Sequence, residues 1–227
     1  MIKTVLFDLD DTLLDFTANE RVAILDTFSH VGIDATDEVL DKYIEINRAS
    51  WQKLERGEWT RDEVLVRRFS ELYLQLGVDL DPYATQSYYE KRLSREGSYI
   101  EGAETLLTEL KKEYRLYAVS NGNLAVQDGR IAATGIDRYL DGIFISERVG
   151  ADKPSRVFFD HVFATIGGER CETVIVGDSL TSDILGGINA GIHTVYYNRE
   201  GKSNCTGILP EYEIGALSEL AHLIKRI

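Results

Sequence analysis

One strand-like run stands alone at the front of this chain. Residues 4–8, TVLFD, are apolar until they end in an acid, and no further run with strand character begins before residue 116. A single strand cannot satisfy its own backbone donors and acceptors. It must therefore join a sheet built from the second half of the chain, and whatever lies between is an insertion.

The intervening sequence reads as helix throughout. Thr17-Ala18-Asn19-Glu20 has the spacing of a capping box and opens an apolar-periodic segment that runs to Gly32. A second helix is expected over 37–56, closed by Gly57. Thr60-Arg61-Asp62-Glu63 is another capping box, ahead of a helix ending at Gly77. Asp81-Pro82 sets a capping residue before a proline at the first helical position, and a fourth helix extends from there towards Gly97.

From residue 102 the pattern alternates. Helices near 102–113, 124–134, 155–166 and 181–190 precede strands over 116–120, 143–146, 173–177 and 194–197. Strands alternating with helices of this length give right-handed βαβ units and a parallel sheet. The fold class is therefore α/β, with five strands expected. Residues 1–15 and 96–227 form a discontinuous core, and 16–95 an inserted helical domain. A length of 227 residues suits one domain with an insertion.

Composition narrows the function. With 25 basic against 38 acidic residues the chain carries a formal charge of −13, which argues against nucleic acid polymers or anionic membranes as partners. The apolar opening is too short, and too soon interrupted by Asp8, for a signal segment or a membrane span. Two cysteines, Cys171 and Cys205, cannot build a disulfide framework, so a reduced, cytoplasmic setting is expected. No sequence feature sets an oligomeric state.

In open parallel sheets ligands bind beyond the carboxyl ends of the strands. Strand one ends in Asp8-Leu9-Asp10-Asp11-Thr12, and the alternation of side chains brings Asp8 and Asp10 to one side. Strand two ends in Ser120-Asn121-Gly122: a hydroxyl, an amide and a flexible glycine. Lys153-Pro154 follows strand three, the proline expected to open a helix with the lysine at its entrance. Strand four ends in Gly177-Asp178-Ser179, with Asp183 just beyond. Carboxylates crowded in this way repel unless a cation joins them. Oxygen donors favour Mg²⁺ over softer metals. Mg²⁺, lysine, hydroxyl and backbone N–H groups together suit a phosphoryl group, and a carboxylate beside them can attack phosphorus.

Those four segments, Asp8-Leu9-Asp10-Asp11-Thr12, Ser120-Asn121-Gly122, Lys153-Pro154 and Gly177-Asp178-Ser179-Leu180-Thr181-Ser182-Asp183, resemble in order the four motifs of the haloacid dehalogenase superfamily, phosphatase branch. The helical insertion resembles its C1 cap, set on a Rossmann-like core. The stretches 145–154 and 183–191, and the cap segment with Asn47, Trp51 and Gly57, resemble the bacterial house-cleaning pyrimidine 5′-nucleotidases.

The resemblance implies Asp8 as nucleophile and Asp10 as acid and then base, with Mg²⁺ held by Asp8, the Asp10 carbonyl and Asp178. It implies phosphate contacts from Ser120 and the Asn121 backbone, charge balance from Lys153, and support of the metal's water or of Lys153 by Asp183. The implied reaction is Mg²⁺-dependent hydrolysis of a small phosphorylated metabolite, a nucleoside 5′-monophosphate, through an aspartyl-phosphate. A sugar-phosphate phosphatase or a phosphotransferase such as a mutase would share all four motifs. A phosphorylatable regulatory module is a further alternative, disfavoured by the inserted cap.

Other conspicuous residues have plainer readings. Asp11 and Asp15 read as solvated loop acids. Gly186, Gly187 and Gly191 follow helical sequence, so close packing explains them better than a nucleotide loop. Tyr43, Trp59, Phe69, Tyr73, Tyr88 and Tyr89 have helical spacing and suit a cap core, which leaves Trp51 as the candidate for a base contact. His30, His161, His193 and His222 show no ligand spacing, and neither cysteine resembles an activated nucleophile.

Overall fold

The strand β1 (Thr4–Phe7) is fully buried and lies at the centre of a six-stranded parallel sheet. The computed structural model describes residues 1–227. The chain divides into two compact units, Met1–Phe16 with Gly97–Ile227, and Thr17–Glu96.

After β1 come helices α1 (Phe16–Val31), α2 (Asp37–Glu55), α3 (Arg61–Leu76) and α4 (Pro82–Leu93). Helix α5 (Ala103–Leu110) leads to β2 (Arg115–Ser120), then α6 (Leu124–Thr134) to β3 (Gly142–Ile145) and the single turn α7 (Ser146–Val149). Helix α8 (Arg156–Ile166) precedes β4 (Thr173–Gly177), and α9 (Leu185–Ala190) precedes β5 (His193–Tyr197). The chain closes with β6 (Tyr212–Ile214) and α10 (Leu220–Ile224).

The strand order is β3-β2-β1-β4-β5-β6. From β1 the chain steps outward to β2 and β3 on one side, then crosses to β4, β5 and β6 on the other, so the topological switch point lies between β1 and β4. Phe7 is level with Ala118 of β2 and with Val176 of β4. Asp8, the first residue past β1, is thus level with Val119 of β2 and Gly177 of β4. The strands are apolar on both faces, as a doubly covered parallel sheet requires. Val5 and Phe7 join one buried cluster with Leu116, Ala118, Val174 and Val176. Leu6 joins the opposite one with Val119, Phe158, Phe159 and Ile175.

The sixth strand was not expected from the sequence. It is three residues long and follows the irregular stretch that contains Pro210, too short to show a period. Between β4 and α9 the chain makes a wider π-type turn, Leu180–Ile184.

In the helical unit, Phe28, Tyr43, Phe69, Tyr73 and Tyr89 build an aromatic core with edge-on and offset contacts. The capping box of α3 forms as the spacing predicts, with Thr60 and Glu63 bonded reciprocally. Asp81 caps α4 ahead of Pro82. The box expected at Thr17 and Glu20 does not start α1, which begins at Phe16. The Glu20 carboxylate instead accepts from Tyr43, Asn47 and Tyr89 inside the helical unit. No helix is long and apolar enough to cross a membrane.

Candidate active site

The buried Lys153 ammonium directs all three of its N–H donors inwards: to Asp8 Oδ1 at 2.6 Å, to Asp183 Oδ1 at 2.6 Å and to the Val119 carbonyl at 2.8 Å. Burial alone would push its pKa down. The Asp183 and Asp8 carboxylates more than offset that, so the lysine stays charged well above its ordinary range.

Burial pushes the Asp8 carboxyl far up, Lys153 draws it part of the way back, and the Asp183 and Asp10 charges raise it again. Asp178 is likewise raised, by burial first and then by Asp8 and Asp183. Carboxylate oxygens of Asp8, Asp178 and Asp183 all lie within 4.8 Å of one another.

Asp183 has a prepared seat. Its Oδ2 accepts from the Ser179 N–H at 3.1 Å, and a Cβ on Gly177 would fall 2.2 Å from that oxygen, so only glycine fits there. Asn121 uses its side chain as a clamp. The amide donates to the Lys153 carbonyl at 2.8 Å and accepts from the Lys153 N–H at 2.9 Å. Ser120 Oγ accepts from the Gly122 N–H at 3.0 Å and from Gln127 Nε2 at 2.8 Å. With both lone pairs used, its own O–H is left as a donor.

Two local readings change. Gly122 has no left-handed φ; a Cβ there would lie 2.4 Å from Gln127 Nε2, so space, not flexibility, requires the glycine. Pro154 does not open α8. The Lys153–Pro154 peptide is cis, and Ser155 caps the helix because its hydroxyl accepts the Val157 N–H, which proline cannot do. Asp11, read as a solvated loop acid, takes a left-handed φ of 57°. The Arg199 guanidinium lies 3.9 Å from Asp11 and 3.6 Å from Asp15.

Two neighbours of Asp10 were missed by sequence reasoning. Gln127 Nε2 donates to Asp10 Oδ2 at 2.7 Å, and Arg130 Nη1 pairs with Asp10 Oδ1. Both lie on α6 and both are fully buried. Their one signal is helical: with Val126 they share the inward face at positions i, i+1 and i+4.

The structure therefore brings together Asp8, Asp10, Ser120, Asn121, Lys153, Asp178 and Asp183 in the sheet unit. Trp51 belongs to the helical unit, half-buried on α2, with the Arg61 guanidinium 5.8 Å from its ring centroid. No histidine or cysteine joins the acidic cluster, and Cys171 and Cys205 are exposed and unpaired. Gly186 and Gly187 are packing glycines: a Cβ would meet Phe159 at 2.6 Å in one case and Ile175 and Thr194 at 2.6 Å in the other.

The donor set fits a hard divalent cation. It offers only oxygens, and Asp8 and Asp178 are raised first by burial and then by neighbouring carboxylates, a cost of ionisation that a bound cation would offset. The carboxylates grouped closely enough to share such a cation are those of Asp8, Asp178 and Asp183. Asp183 has one oxygen on Lys153 and the other on a backbone N–H, which suits it to orienting the lysine.

Fold and site together define a Rossmann-like α/β protein with an acidic centre at the switch point of its parallel sheet. Residues 2–191 match the haloacid dehalogenase-like hydrolases, and the chain belongs to that family. The HAD-hydrolase YfnB of Bacillus subtilis is 39% identical over 98% of this chain and 95% of its own length. Its crystal structure bound to magnesium matches with a TM-score of 0.93, covering 98% of each chain. The pyrimidine 5′-nucleotidase PynA of Streptococcus pneumoniae is 38% identical over 99% of this chain and 95% of its own. The pyrimidine 5′-nucleotidase YjjG of Escherichia coli is 30% identical over 97% and 96%. Within the family the chain stands among the phosphoric monoester hydrolases.

Proposed function

We propose that this enzyme hydrolyses a pyrimidine nucleoside 5′-monophosphate, with Mg²⁺ bound, through a phosphorylated Asp8. The observation that carries the reading is the buried Asp8–Lys153–Asp183 cluster at the switch point, with Asp10 two residues beyond the nucleophile. The substrate class rests on the similarity to PynA and YjjG.

Lys153 holds Asp8 Oδ1, which leaves Oδ2 to attack phosphorus. The bond from phosphorus to the ester oxygen breaks, and Asp10 protonates the departing nucleoside oxygen. Asp10, now ionised, takes a proton from the water that attacks the aspartyl-phosphate and releases inorganic phosphate. The Ser120 O–H and the Asn121 N–H donate to phosphate oxygens. Asp183 keeps Lys153 aimed at Asp8. Mg²⁺, when bound, neutralises phosphate charge beside Asp8 and Asp178.

Phosphate release from UMP, dUMP, dTMP, common sugar phosphates and p-nitrophenyl phosphate, with Mg²⁺ and with EDTA, tests the proposal. Magnesium-dependent turnover highest on the pyrimidine nucleotides is expected. A preference for sugar phosphates would discard the substrate, and equal turnover in EDTA would discard the metal.

A further inference from the structure

The side chain of Asp10 is held at both oxygens, and neither partner belongs to the four segments that assemble the site. Gln127 Nε2 donates to Oδ2 at 2.7 Å and Arg130 Nη1 pairs with Oδ1, while the Asp10 side chain stays 27% exposed. The same Gln127 Nε2 donates to Ser120 Oγ at 2.8 Å, and Gln127 Oε1 accepts from Arg130 Nη1 at 3.2 Å. One amide thus ties together Asp10, Ser120 and Arg130.

Arg130 is an expensive residue to keep. Its side chain is fully buried, and its Nε and Nη2 have no hydrogen-bond partner. The Phe16 ring, 5.3 Å from the guanidinium carbon, is a weak substitute for water. Burying a charge with donors unmet costs stability, and a group kept at that cost calls for a role. The glycine at 122 has the same logic, because any side chain there would displace Gln127.

We propose that Gln127 and Arg130 are positioning residues that hold the Asp10 carboxyl group where it protonates the leaving oxygen. The inference rests on the reading of Asp10 as the acid of the first step. An α6 face carrying both residues at i and i+3 sets the Asp10 rotamer from outside the strand-end motifs.

Leaving-group dependence separates this from a merely structural role. kcat/KM reports the step in which the leaving group departs, and protonation matters to a basic leaving group such as phenol but little to 2,4-dinitrophenol. Across aryl phosphates from phenyl to 2,4-dinitrophenyl, Asp10→Asn is expected to lose about a hundredfold with the phenyl ester and far less with the dinitrophenyl ester. Arg130→Met and Gln127→Met are expected to lose about tenfold or more with the phenyl ester on the same pattern. Arg130→Lys should recover part of the loss.

The readout is the ratio of the two kcat/KM values, in which any equal damage cancels. Gln127→Met is near-isosteric and neutral, so it carries the test if Arg130→Met fails to fold. An unchanged ratio in the Gln127 and Arg130 variants, with the ratio shifted in Asp10→Asn, overturns the positioning role alone. An unchanged ratio in Asp10→Asn overturns the acid assignment and this inference with it.

Discussion

At the scale of single residues, the site is organised around Lys153, whose three donors are all committed inside the protein. Replacing it with methionine leaves Asp8 and Asp183 facing one another with no cation between them. Breaking a buried ion pair from one side costs about 3–5 kcal/mol. Lys153→Met is therefore expected to lower the urea midpoint steeply and to abolish turnover. A variant with wild-type stability and activity would contradict the role assigned to the lysine.

Asp8, Ser120, Asn121 and Asp178 were legible because each stands where an apolar run stops, and a parallel sheet collects such positions at one edge. Gln127 and Arg130 stand inside a helix, where glutamine and arginine ordinarily face solvent, so nothing in their identity marks them. Only the placement of Val126 on the same face hints that these two turn inwards. Gly122 was read as flexible because a glycine after a strand usually is. Its true constraint, the amide of Gln127, lies five residues away and on another element.

At the scale of elements, the approach of α9 to α8 holds the lysine segment in place. A Cβ on Gly186 would come within 2.6 Å of the Phe159 ring and 3.3 Å of Pro154 Cα, next to Lys153. Overpacking of this kind costs about 1–3 kcal/mol. Gly186→Ala is expected to lower the melting temperature and, through Pro154, to lower kcat. Unaltered melting and activity would mean the helices separate freely there.

Helix ends were readable where a side chain supplies the cap, as at Thr60 and Asp81. They were misread where a carboxylate finds a better partner in three dimensions, as Glu20 does with Tyr43, Asn47 and Tyr89. Strands β1 and β2 to β5 announce themselves by apolar runs. Strand β6 has three residues, one of them the exposed Glu213, and pairs only along β5.

At the scale of the whole molecule, a charge of −13 opposes an anionic substrate, and in the proposed reaction a bound cation reverses the field locally. The raised Asp8 and Asp178 make this visible in stability. Acids whose folded pKa lies above the unfolded value favour folding at low pH, and that contribution is lost as pH rises towards the folded pKa. In EDTA these two groups should lower stability progressively from about pH 4 upwards. Mg²⁺ should raise the melting temperature more at pH 8 than at pH 5.5, since at the lower pH it must displace protons. An equal rise at both would mean that these carboxylates do not hold the metal.

The proposed reaction depends most on Asp8 as the oxygen nucleophile that attacks phosphorus. Mixing enzyme, Mg²⁺ and substrate, quenching in acid within one turnover and mapping the peptides by mass spectrometry tests that directly. One phosphoryl group is expected on the peptide containing Asp8, labile to hydroxylamine and lost in Asp8→Asn. Turnover with no phosphorylated peptide, or with the group on another residue, would contradict it.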